Sequence, residues 1–221
     1  MVKIRINKIE RSKRKTIALL VNADTTLTVK APFLVPTIQI EKVVEKKQSW
    51  IKRKVREVEQ RPKAAIREFV NGEGFLVLGK SYRLKIGNYS TIELGEYLYF
   101  PKADLGTIQQ KLTDWYKQQA IKKITSRTKW YSKKMGVEYS SIRLSEASKR
   151  WGSCGRNNTL SINWRLIMAP LSIIDYVVVH ELSHVIEKNH SKIFWNRVRT
   201  VLPNYEKSRM WLKENGHTLN V

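Results

Sequence analysis

Apolar and polar positions broadly alternate over residues 2–30, in "VKIRINKIE", "TIALLVN" and "TLTVKAP". That period predicts short strands of a meander, with "NADT" as a turn. From Val35 to about Gln60 the spacing becomes helical: Ile38, Val43, Ile51, Val55 and Val58 recur among lysines and glutamates, and "RP" closes the segment. One long helix is expected there. "FLVLGKSYRLKIG" and "TIELGEYLYFP" return to strand character, with "NGEG" leading in and "GNYS" as the connecting turn.

A second helix is predicted to begin at Asp104–Thr107, to run to about Met135 and to stop at Gly136. Leu112, Tyr116, Ala120 and Ile124 recur four apart and should face a core. "SIRLSEASKRWGSCG" and "TLSINWRLI" read as two strands joined by "RNN". "APLSIID" then opens a third helix, with Ser172 as the expected N-cap and Asp175 completing a capping box. The pattern as a whole predicts an α+β fold. The expected division is a strand-rich region with one long helix over residues 1–105 and a helical region over residues 106–221.

Composition narrows the class. The 221 residues carry 42 Lys+Arg against 19 Asp+Glu, a formal charge of +23. A field of that sign attracts nucleic acid, nucleotides or anionic lipid. The second helix presents many of the cations, interleaved with Trp115, Trp130 and Tyr131, and is the candidate polyanion-binding face. A solvated basic surface with core aromatics is the plainer reading of that helix. The single cysteine, Cys154, excludes an internal disulfide and fits a reducing compartment. The first residues lack the apolar core of a signal peptide, and no apolar run reaches membrane-spanning length. A cytoplasmic protein with no membrane partner is expected.

The chemistry concentrates in "HELSHVIEKNH", residues 180–190, which holds three of the four histidines. On a helix His180 and His184 project from one face, one turn apart, and can share one metal ion. Glu181 beside them can hold and deprotonate a water at an open metal position. This is the H-E-x-x-H arrangement of zinc hydrolases. The surrounding helix is nearly all apolar and therefore buried, so these polar groups need partners, which a metal supplies. A third ligand is required. On a continuous helix His190 would lie about 15 Å along the axis from His180, so it joins only if the helix stops first. Metzincins place a third histidine at this spacing with a glycine at the turn. Here Glu187 occupies that position, so the stop is expected later, at Asn189, with Ser191 capping the next helix. His190 is the favoured third ligand and Glu187 its rival. His217 is expected to be an exposed bystander.

The segments "RWGSCG", "SINWRLIMAP" and "VVVHELSHVIEKNHSKIFW" resemble the YgjP-like metallopeptidase family, related to the SprT-like and WLM peptidases. The resemblance is strong over residues 106–221 and implies a zincin-like catalytic unit in the C-terminal half. It implies His180, His184 and His190 as zinc ligands, Glu181 as base, and the "RWGSC" strand along the cleft. On that strand Arg150, Trp151 and Ser153 are the candidate substrate-binding residues, through strand addition of a peptide or through contact of Arg150 with an anionic group. Packing is the rival role for Trp151 and Cys154. The expected activity is a zinc-dependent metallopeptidase acting on a peptide or protein. A metal-dependent nucleoside triphosphate pyrophosphatase or phosphohydrolase is the alternative, because an activated water can also attack phosphorus. A nucleic-acid-associated protease is the third.

Overall fold

The computed structural model describes residues 5–22, 24–60 and 67–221. They form two compact units, residues 1–63 and 64–221. The start of the first strand pattern, residues 1–4, Ala23 of the "NADT" turn and residues 61–66 around "RP" lie outside the described residues.

In the first unit β1 (Lys8–Ser12), β2 (Ala18–Val21) and β3 (Leu27–Pro32) form a sheet of order β1-β3-β2. This is not the expected meander, because β1 pairs with β3 in parallel and only β2–β3 is a hairpin. The reason lies in burial. Leu27, Val29 and Ala31 of β3 are buried, and no residue of β1 or β2 is, so the most apolar strand takes the centre. The helical segment is also two helices, α1 (Thr37–Lys46) and α2 (Gln48–Glu59). Lys47 leaves helical geometry between them (φ −105°, ψ 13°) with neither proline nor glycine to announce it. Ile40, Val44 and Ile51 from these helices complete the small core against β3.

The second unit holds a four-stranded sheet of order β4-β5-β7-β6, from β4 (Gly74–Val77), β5 (Lys80–Gly87), β6 (Glu93–Leu94) and β7 (Leu98–Pro101). "GNYS" connects β5 to β6 as expected, but the two strands are not partners, since β5 pairs with β7 in parallel. A 3-10 turn (Lys102–Thr107) leads into α3 (Ile108–Met135). Gly136 ends that helix at φ 61°, where its N–H reaches Lys133 O and the Val137 N–H reaches Ser132 O. The expected core row is buried, with Leu112, Tyr116, Ala120 and Ile124 all at 0% exposure. A second sheet of order β8-β10-β9 follows, from β8 (Ser141–Ser145), β9 (Gly152–Cys154) and β10 (Thr159–Asn163). After a 3-10 turn (Trp164–Met168) come α4 (Leu171–Ile186), α5 (Lys192–Val201) and α6 (Tyr205–Asn215).

Among the described residues the two units part between residues 60 and 67, and the change in sequence pattern near residue 105 falls inside the second unit. Phe75, Val77, Leu84, Leu98 and Phe100 pack in one core with residues of α3 and α4, so β4–β7 belong with the helices that follow. The β4–β5 tip makes the link concrete. Leu78 and Gly79 turn with φ of 50° and 80°, and their N–H groups donate to Ile167 O and Met168 O at 2.7 and 3.0 Å, just before α4. No described helix is long and apolar enough to cross a membrane.

On α3 the aromatics separate. Trp115 and Tyr131 are buried core residues, and Trp130 alone is exposed, flanked by Arg127 and Lys134 over its ring at 4.9 and 5.1 Å. The expected interleaved face is thus one exposed ring among cations.

Candidate metal centre

Apolar side chains cover most of the circumference of helix α4. Ile173, Ile174, Val177, Val178, Val179 and Leu182 are all buried, which places the helix in the core. Ser172 does not cap it. The helix starts at Leu171 with Pro170 at the N-cap and no side-chain cap bond. Asp175 is engaged elsewhere, accepting from Arg127 Nε and Nη2 at 2.6 and 2.8 Å in a bidentate pair that ties α4 to α3.

The helix stops at Ile186, earlier than the expected Asn189. Glu187 is extended (φ −114°, ψ 107°), with its N–H still on Ser183 O at 3.0 Å. The chain therefore turns back at the position where a glycine was expected for this geometry. Glu187 manages it without positive φ. Ser191 then caps α5 by accepting from the Phe194 N–H, as predicted. This early reversal returns His190 to the two helical histidines. His190 Nε2 lies 3.1 Å from His184 Nε2 and 3.0 Å from His180 Nε2, and one ligand atom from each residue falls within 4.8 Å of the others.

This donor set fits a divalent cation. A tetrahedral ion with nitrogens at about 2.0–2.1 Å has its ligand atoms about 3.3 Å apart, close to these separations. His184 Nδ1 is 3.0 Å from the Glu187 carbonyl, so an Nδ1–H donated there leaves the Nε2 lone pair aimed inward. Burial, reinforced by the neighbouring His184 and His190, holds His180 down to about 3, so its ring is neutral and able to ligate. Burial also lowers His184. Three imidazoles, two of them meeting His190 Nε2 at 3.0 and 3.1 Å, are satisfied together by one shared cation. Glu187 is not among the converging groups: its carbonyl takes the His184 contact and its carboxylate accepts from the Asn189 N–H at 3.3 Å.

The rings are held by aromatic packing that the histidine motif does not announce. Phe194 lies within 4.5–4.9 Å of all three imidazoles. His190 stacks on Trp195 and Trp195 on Tyr205, with interplanar angles of 22° and 16°. Only the fold shows that these side chains grip the three imidazoles.

Glu181 is 4% exposed, and its Oε2 is buried without a hydrogen-bond partner. Burial pushes its carboxyl up to about 7, opposed by the charge of Arg150. Strand β9 lies directly over it. A Cβ at Gly152 would come within 2.6 and 2.7 Å of Glu181 Cγ and Cδ, so a side chain here would displace the carboxylate. A cavity of about 320 Å³ opens beside the pair, with Trp151, Tyr176, His180 and Glu181 in its wall, and Arg209 and Lys213 reaching in from α6.

These features bear on family membership. The model of the family described as YgjP-like, metallopeptidase domain, matches residues 15–215. The chain belongs to this family. Its members are metal-dependent peptidases, and so is this protein at that level of description. Two solved metallopeptidase zymogens are similar over part of the chain. Abylysin of Pyrococcus abyssi is 17% identical over 41% of this chain and 93% of its own, with a TM-score of 0.38. Jannalysin of Methanocaldococcus jannaschii is 22% identical over 41% of this chain and 91% of its own, with a TM-score of 0.36. No curated protein matches the chain.

The predicted substrate strand is placed unevenly. Trp151 lines the cavity, and Arg150 is exposed at its approach, near enough for its charge to act on Glu181. Ser153 alternates with Gly152 along β9 and so points from the opposite face, away from the carboxylate. Any contact it makes with a ligand on the Glu181 side runs through its backbone. Cys154 is half-buried, and burial raises its thiol, which leaves it a packing residue. His217 is not the exposed bystander expected, since both ring nitrogens are buried and unpartnered among the described residues. Gly152, Arg209 and Lys213 carried no sequence signal, because their relation to Glu181 exists only across the fold.

Proposed function

We propose that this metallopeptidase is zinc-dependent, that His180, His184 and His190 hold the ion, and that Glu181 is the general base. The observation that carries this reading is the convergence of His180 and His184 Nε2 on His190 Nε2, at 3.0 and 3.1 Å, beside a buried carboxylate with one unpartnered oxygen. Imidazole donors suit zinc, and its availability favours it over other divalent ions. When bound, zinc supplies a Lewis acid that lowers the pKa of the attacking water to about 7 and polarises the scissile carbonyl.

The chain's own residues do the rest. Glu181 takes a proton from the water and passes it to the departing amine, a role that burial supports because a raised carboxyl holds and releases a proton near neutrality. Gly152 lets β9 lie against that carboxylate. Strand β9 ends its sheet, and its outer edge is unpaired among the described residues. An extended peptide adds there as a further strand, its main chain held by ladder hydrogen bonds. Trp151 forms an apolar wall beside the scissile bond, and Arg150 brings positive charge to the approach.

The test offers the zinc-loaded protein unstructured peptides and nucleoside triphosphates side by side. The wild type should cut peptide. Glu181→Gln should keep its zinc and lose about 10²–10⁴-fold in rate, the usual contribution of a general base. Triphosphate hydrolysis that Glu181→Gln abolishes, with no peptide ever cut, would overturn the peptidase reading.

A further inference from the structure

The cavity beside Glu181 has a wall whose charge the metal chemistry does not use. Arg209 and Lys213 stand one turn apart on α6 and both line it, with Leu212 between them. Neither pairs with a carboxylate among the described residues, although α6 offers acids of its own. Glu206 instead meets Arg199 at 3.6 Å. Arg209 is held in place by the face of Trp195, its guanidinium 5.1 Å from the ring centre, and Trp195 is the ring that stacks on His190. A cation fixed this way has lost freedom without gaining an anion. The one carboxylate in the wall is Glu181, and it is committed to the chemistry. Val177, Leu212, Tyr176 and Trp151 line the remaining surface with apolar area. An apolar wall that also carries two unpaired cations suits a short methylene chain ending in an anion.

We infer that this cavity is a specificity subsite for a carboxylate of the peptide substrate, with Arg209 and Lys213 as the residues that recognise it. The inference rests on the peptidase reading and names its substrate class. The carboxylate comes either from an aspartate or glutamate flanking the scissile bond or from the free C-terminus of the peptide. The two sources share one chemistry and predict different products.

The experiment uses the zinc-loaded full chain and peptides that differ at one residue, Glu, Gln or Lys, next to the cleaved bond. One set has an amidated C-terminus and the other a free one. The wild type should favour Glu over Gln by about two- to fivefold in kcat/KM if the source is a side chain, the scale of an exposed charge pair. It should favour free over amidated ends by a like factor if the source is the C-terminus. In Arg209→Gln/Lys213→Gln that ratio should fall toward one, and Arg209→Glu should turn the preference toward Lys. Binding is read separately, from quenching of tryptophan fluorescence in zinc-loaded Glu181→Gln. Peptides cut without regard to charge, or a preference that survives the double substitution, overturn the subsite and leave the peptidase reading intact. Acidic peptides that bind through Arg209 but are never cut overturn the peptidase reading and uphold the subsite.

Discussion

Gly152 shows how much of the site is a matter of single residues. Its hydrogen is what allows β9 to lie on Glu181, and a methyl there would sit 2.6 Å from Glu181 Cγ. Gly152→Ala should therefore displace the carboxylate while leaving the three histidines untouched. A misplacement of that order costs about 10²-fold in rate. Zinc content and far-UV circular dichroism should stay at wild-type values, and a fully active variant would show that Glu181 tolerates displacement. At this scale the sequence was most informative about what is local. His180, Glu181 and His184 are legible because four-residue spacing on a helix is enough to bring them together. Glu187 was the harder reading. Its role is to end the helix in an extended conformation and to receive His184 Nδ1 on its carbonyl, a backbone function that a side-chain inventory does not reveal. Arg209 and Gly152 were invisible for the opposite reason: each meets the site only through tertiary contact.

Among the elements, patterning marked where helices and strands lie and was weaker on how they end and pair. The α3 core row and its glycine stop follow directly from the periodicity. The parallel pairings β1–β3 and β5–β7 do not, since alternation is the same for either direction. Asp175 is the instructive case. By spacing it completes a capping box with Ser172, yet it faces α3 and takes both hydrogen bonds of the Arg127 fork. A distant guanidinium in a half-buried setting outweighs a local cap, because bidentate charge-assisted bonds are stronger than a single neutral one. Asp175→Asn keeps the shape and removes the charge. It should cost about 1–3 kcal/mol of stability in urea unfolding. An unchanged midpoint would mean that the clasp between α3 and α4 contributes nothing net.

At the scale of the whole molecule, the charge of +23 predicts association with polyanions that falls steeply as salt rises. Lys122, Lys133 and Lys134 are exposed on α3 and Lys123 is half-buried. Replacing the four by glutamine should flatten the salt dependence of binding to single-stranded DNA, whereas no binding at low salt would leave the basic surface a matter of solubility. The catalytic account rests on different ground, one cation held by three histidines that a single chain reversal brings together. Metal content per chain after equilibrium dialysis against zinc tests it directly. The wild type, Glu181→Gln and Glu187→Ala should each hold about one zinc, His180→Ala and His184→Ala should lose it, and His190→Ala should bind it measurably more weakly. Full occupancy in His190→Ala together with loss in Glu187→Ala would contradict the account.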